Sequence, residues 1–121
     1  MKATGYMMDA TLEDGELTIE GRTSTGRAAL DWDLSDRLTQ AKAERRPVSE
    51  LNRIKNDRTT PTMKVADIDE IEFADANPIK NGHMTVHAYG HKANFHFRRK
   101  TRKEARALYD ELQIQRSRLA A

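Results

Sequence analysis

The chain has 121 residues, of which 33% are charged and 37% hydrophobic, enough for one domain around a single modest core. It has no cysteine, which excludes disulfides, thiolate-held zinc or iron–sulfur centres and a thiol nucleophile. Net charge is only +2 but is unevenly laid out: residues 1–34 carry three basic and seven acidic side chains, 35–58 seven and four, 59–91 two and five, and 92–106 seven and one.

From the N-terminus, Lys2 precedes a mixed run containing Asp9, with no apolar leader core, and no window reaches the apolar length of a membrane span. A cytoplasmic location is the expectation. Tyr6–Leu12 and Glu16–Glu20 read as strands joined by Asp14-Gly15, a dipeptide that accepts the positive φ angles of a tight hairpin. Gly21 ends the pattern, and Thr23–Gly26 reads as a turn. Residues 27–34 fit either a strand or the start of a helix: Leu30, Leu34 and Leu38 lie at helical spacing, while Trp32 falls off that stripe.

Residues 35–58 read as a polar helical insert. Ser35 is a candidate N-cap, Pro47 stops the first helix, and Ser49 starts a second with Val48, Leu51 and Ile54 on one side. Arg58–Pro61 reads as a linker. Strands resume at Met63–Val65 and, after a turn near Asp67-Ile68, at Glu70–Ala74. Asp75–Pro78 then breaks the pattern.

The strongest local signal is a hairpin over residues 83–98. With Gly90-His91 as the turn, Ala88 faces Ala93, Val86 faces Phe95 and Met84 faces Phe97. His87, Thr85 and His83 face Asn94, His96 and Arg98 on the other side. Apolar and polar residues thus separate onto two faces, which a one-residue slip would destroy. Thr101 and Glu104 then have capping-box spacing ahead of a helix whose stripe is Ala105, Leu108, Leu112, Gln115 and Leu119, with Tyr109 beside it. One helix after a run of antiparallel strands suits an α+β roll or a bent sheet plugged at one end.

Asp14–Ile19, Met63–Ile68 with Ile71–Phe73, Asn81–Val86, and Phe95–Arg99 running into Ala105–Leu112 together resemble the short bacterial pleckstrin-homology-like (PH-like) domains common in actinobacteria and their phages. The resemblance spans most of the chain except residues 22–61, where the insert departs from the family's compact pattern. It implies a single α+β domain: a strongly bent antiparallel sheet or barrel of about six to seven strands, capped by the C-terminal helix. It further implies binding or oligomerisation in place of catalysis, and brings no invariant site.

Three side-chain sets carry possible chemistry. His83, His87 and His96 share one strand face, where imidazoles could hold zinc. No carboxylate alternates among them and Lys92 and Arg98 are neighbours in that register, so the reading is of solvated histidines, with no metal and no cofactor expected. The acid pairs Asp31/Asp33, Asp67/Asp69 and Glu70/Glu72 alternate with apolar residues, as on ordinary half-buried strands. With no phosphate loop or nucleophile elbow, no enzyme is expected.

The basic cluster Lys92, Arg98, Arg99, Lys100, Arg102, Lys103 and Arg106 is the leading binding candidate, an anion-attracting corner at a helix start. The plainer alternative is a solvated helix start balanced by the acidic strands. A protein partner or a second copy of the chain is the first expectation. Nucleic acid comes second and an anionic lipid headgroup after it.

Overall fold

The structure is a computed structural model and describes residues 1–56 and 60–120. Its elements in chain order are β1 (Lys2–Thr4), β2 (Met8–Glu13), β3 (Glu16–Gly21), α1 (Ser24–Leu30), α2 (Leu34–Ala43), α3 (Val48–Asn56), β4 (Thr62–Lys64), a 3-10 turn (Val65–Asp67), β5 (Ile68–Ala74), β6 (Gly82–Ala88), β7 (His91–Phe97), a second 3-10 turn (Arg99–Thr101) and α4 (Arg102–Ala120).

The strands form two antiparallel sheets, β1-β2-β3-β4 and β5-β6-β7, so the architecture is α+β with no closed barrel among the described residues. Backbone contacts still cross between the sheets: Tyr6 N–H donates to the His96 carbonyl at 2.7 Å, just beyond β1. One buried cluster draws Leu17 and Ile19 from the first sheet, Val86 and Phe95 from the second, Leu30 from α1, and Leu108 and Leu112 from α4. The two meanders therefore share a core, with α4 packed on β1, β6 and the first 3-10 turn.

The first hairpin forms with Asp14 (φ 51°) and Gly15 (φ 74°) at its turn. The second keeps its two faces but changes register. Its turn is Tyr89-Gly90, with φ of 56° and 77°. Met84 therefore faces Phe95, Val86 faces Ala93, Thr85 faces Asn94 and His83 faces His96. Strand periodicity is two, so a two-residue slip leaves every side chain on its face, and only turn chemistry separates the registers. Glycine at the second turn position is the preferred arrangement when both residues need positive φ.

Several local expectations are corrected. A short strand, β1, precedes the first hairpin. Thr23–Gly26 is the start of a helix: the Thr23 hydroxyl caps α1 by accepting from Gly26 N–H at 2.9 Å. Residues 27–34 are neither a strand nor one continuous helix. They close α1, pass through Asp31 in a left-handed conformation (φ 62°) and enter α2 after Asp33, so Ser35 is not the N-cap. α3 begins at Val48, one residue before Ser49, because the Pro47 carbonyl already accepts from Glu50 N–H. Val48 is exposed, while Leu51 and Ile54 are half-buried. The helical insert is thus a real α2–α3 pair outside the shared core cluster. Arg58 and Thr59 of the expected linker lie outside the described residues.

The capping box at α4 does not form. The Thr101 hydroxyl donates toward the Arg98 carbonyl (3.5 Å), and Glu104 Oε1 accepts from Thr4 N–H (3.2 Å). Glu104 therefore serves the end of β1 across the fold, a tertiary partner that local spacing could not reveal. Ala105, Leu108 and Leu112 are buried, but Leu119 is 59% exposed, because the stripe outruns the sheet it covers.

The end of α2 supplies a stability test. Arg45 occupies the left-handed position (φ 54°) while its N–H bonds the Lys42 carbonyl and Arg46 N–H bonds the Ala41 carbonyl. This is a Schellman arrangement, in which glycine avoids the Cβ penalty. Arg45→Gly should stabilise the chain by about 0.5–1 kcal/mol after the extra unfolded-state entropy of glycine is counted, read as a higher urea midpoint.

Candidate functional site

The seven basic residues do not act as one group. Lys92 is the second residue of β7, at the turn end of the hairpin, where its ammonium lies 3.8 Å from Asp31, while Arg98 follows the opposite end of that strand. Arg102 faces Asp75 at 3.9 Å. Arg106 bonds Asp110 at 3.2 Å and lies over the rings of Phe73 and Tyr109. These three are locally neutralised.

The remaining four differ. Arg98 stacks on the Tyr6 ring, its guanidinium carbon 4.2 Å from the centroid. Arg99, Lys100 and Lys103 are exposed, with no carboxylate at ion-pair distance among the described residues. Arg98 and Lys100 line a cavity of about 270 Å³ with Gly5, Tyr6, Met7 and Arg22. Arg22 already pairs with Asp9 and donates to the Gly5 carbonyl. Residues Arg99 to Lys103 run through the second 3-10 turn into the first turn of α4. Cations there meet the positive end of the helix dipole, so they do nothing for helix stability, and their exposed positive potential is available to an anionic partner.

The histidines separate as well. His83 and His96 are cross-strand partners with ring centroids 6.3 Å apart. His96 Nε2 donates to the Ala29 carbonyl at 3.2 Å, so α1 covers part of the face expected to be solvated. Thr85 on that face is buried and bonds Asn94. His87 is remote from this pair and stands 3.4 Å from Glu72 of β5. His91 lies against Trp32, centroids 5.5 Å apart, with Asp36 3.7 Å away. A cavity of about 420 Å³ beside them is lined by Trp32, Asp31, Asp36, Asp69 and His91 among others. The acid pair Asp31/Asp33 accordingly sits in the connection between α1 and α2, and not on a strand.

Burial, opposed by the Ala29 bond, holds His96 below its ordinary value near 6.5, and nearby His83 adds a small effect in the same direction. The unfolded chain then binds the proton more readily than the native one. Stability from this group is complete above about 6.5 and falls as pH drops toward the depressed native value. His96→Gln should flatten that part of a stability-against-pH curve measured by urea unfolding.

Fold and surface together define an α+β chain of two antiparallel sheets with a C-terminal helix, carrying an exposed cationic corner. No described helix is long and apolar enough to cross a membrane. Comparison with protein-family models, curated proteins and solved structures returns no match.

Proposed function

We propose that the chain is a non-enzymatic protein-interaction module of PH-like architecture whose contact surface is the corner formed by Arg98, Arg99, Lys100 and Lys103, and whose simplest partner is another copy of itself. The carrying observation is that Arg99, Lys100 and Lys103 stand exposed with no carboxylate partner among the described residues, while neighbouring cations are neutralised. A meander of four strands followed by one of three, with a terminal helix packed on their shared core, supports the PH-like reading. Exposed Glu13, Asp14, Glu16 and Glu20 of the first hairpin supply carboxylates of the kind such a corner would meet on a second copy. Complementary patches at different places on one surface make a head-to-tail contact. A protein partner is favoured over nucleic acid because Tyr6, the aromatic lining the corner cavity, is already covered by Arg98.

Size-exclusion chromatography with light scattering at two salt concentrations tests this. The expected result is an oligomer at low salt that dissociates at moderate salt, and a monomer at both for Arg99→Ala/Lys100→Ala/Lys103→Ala. A monomer at high protein concentration and low salt overturns self-assembly. Polynucleotide or anionic vesicle binding that is lost steeply with salt, and lost in the same variant, would establish the anionic-surface alternative.

A further inference from the structure

We propose that Glu70, Glu72 and His87 form a binding site for a first-row divalent cation, best matched by Zn²⁺, on the outer face of the β5–β6 ladder. One carboxylate oxygen from each glutamate and one imidazole nitrogen all lie within 4.8 Å of one another. His87 Nε2 and Glu72 Oε2 are already 3.4 Å apart. Two ligands of a tetrahedral zinc, each about 2.0–2.2 Å from the metal, stand roughly 3.3–3.6 Å from each other. The His87–Glu72 spacing therefore fits directly, and Glu70, exposed at its side chain, has only a rotamer adjustment to make.

The backbone builds this convergence. Ile68 pairs with Ala88, but the next partner of the ladder is Glu70 opposite His87, so Asp69 is an extra residue in β5. In a regular ladder Asp69 would face His87, and Ile71 would turn outward onto the same face. The bulge instead turns Ile68 and Ile71 both inward and sets Glu70 and Glu72 beside His87. Arg116 of α4 donates to the Asp69 carbonyl at 3.0 Å, fixing the extra residue in place.

The electrostatics leave a place for a cation. Neither glutamate has a lysine or arginine at ion-pair distance among the described residues, and the one charged contact is Glu72 with His87. Lys92, the cross-strand neighbour of His87 on β7, is drawn toward Asp31. Arg98 is at the far end of the hairpin. The cations expected from sequence to repel a metal are thus engaged or remote. Two carboxylates neutralise a divalent charge, and the imidazole favours zinc over calcium or magnesium, which prefer all-oxygen sites. The set differs from the His83, His87 and His96 trio of the sequence, since its oxygen ligands come from the next strand.

Calorimetric titration of the chelator-treated full chain with ZnCl₂ tests the site, with thermal unfolding as a second readout. One zinc per chain and a higher unfolding midpoint are expected. His87→Gln and Glu72→Gln should each weaken binding at least about tenfold, the scale on which even indirect metal contacts matter. His83→Gln should leave binding unchanged, and circular dichroism should show all three variants folded. Absence of heat and of any midpoint shift at millimolar zinc overturns the proposal. So does zinc binding that persists in His87→Gln, or calcium binding as tightly as zinc.

Discussion

Phe95→Ala should lower the free energy of unfolding by about 3–5 kcal/mol, a large share of the roughly 5–15 kcal/mol available to a small domain. Phe95 is 0% exposed, lies 6.2 Å from Phe97 between ring centroids, and presses on Gly5, where a Cβ would stand 2.6 Å from its ring. Contacts on both sides leave little freedom for collapse, so most of the vacated volume would stay empty. Urea unfolding should show a lower midpoint with an unchanged slope. Ile79→Ala is the contrast. At 92% exposure its loss should stay within about 0.5 kcal/mol, although a hydropathy scale ranks both residues as core material. Near-equal effects of the two substitutions would refute the described core.

Gly26→Ala should destabilise the chain by about 1–3 kcal/mol, opposite in sign to its effect on an isolated helix, where alanine is favoured by about 1 kcal/mol. A Cβ on Gly26 would fall inside the van der Waals envelope of the Met7 carbonyl oxygen. Met7 has little room to retreat: it holds a left-handed conformation (φ 61°), and its carbonyl accepts from Arg22 N–H at 2.8 Å. Relief therefore requires α1 to lift from the β1–β2 connection, disturbing the helix that covers His96. A thermal midpoint equal to or above that of the parent would mean that α1 does not sit against Met7.

Legibility in the sequence followed the range of the interaction. The facing of Met84, Val86, Phe95 and Phe97 is readable because side chains alternate along a strand, and all four are fully buried. Their pairing is not readable from facing, since registers two residues apart bury the same set, and the Tyr89-Gly90 turn chooses between them. The basic corner is readable as a run of charge. Which members remain available is decided by Asp31, Asp75 and Asp110; the first two come from other parts of the chain. The carboxylates beside His87 were hidden for the same reason: the glutamates precede it by 15 and 17 positions and arrive through a bulge that no local pattern announces.

By itself the sequence determined the α+β composition, two hairpins, the division of the insert into two helices (although α2 ends at Ala43 through the left-handed Arg45, before Pro47 is reached), the break at Asp75–Pro78, the apolar stripe to Leu112 and the concentration of positive charge after β7. Each follows from periodicity, turn chemistry or composition within a few residues. Only the tertiary structure decided that the strands divide into two sheets over one core and that Glu104 serves Thr4 instead of its own helix. It also decided that α1 covers the face bearing His96, while the outer face of β5 and β6 joins His87 to Glu70 and Glu72. Those outcomes depend on which distant segments meet, and that is set by burying one shared apolar surface, a property of the whole chain.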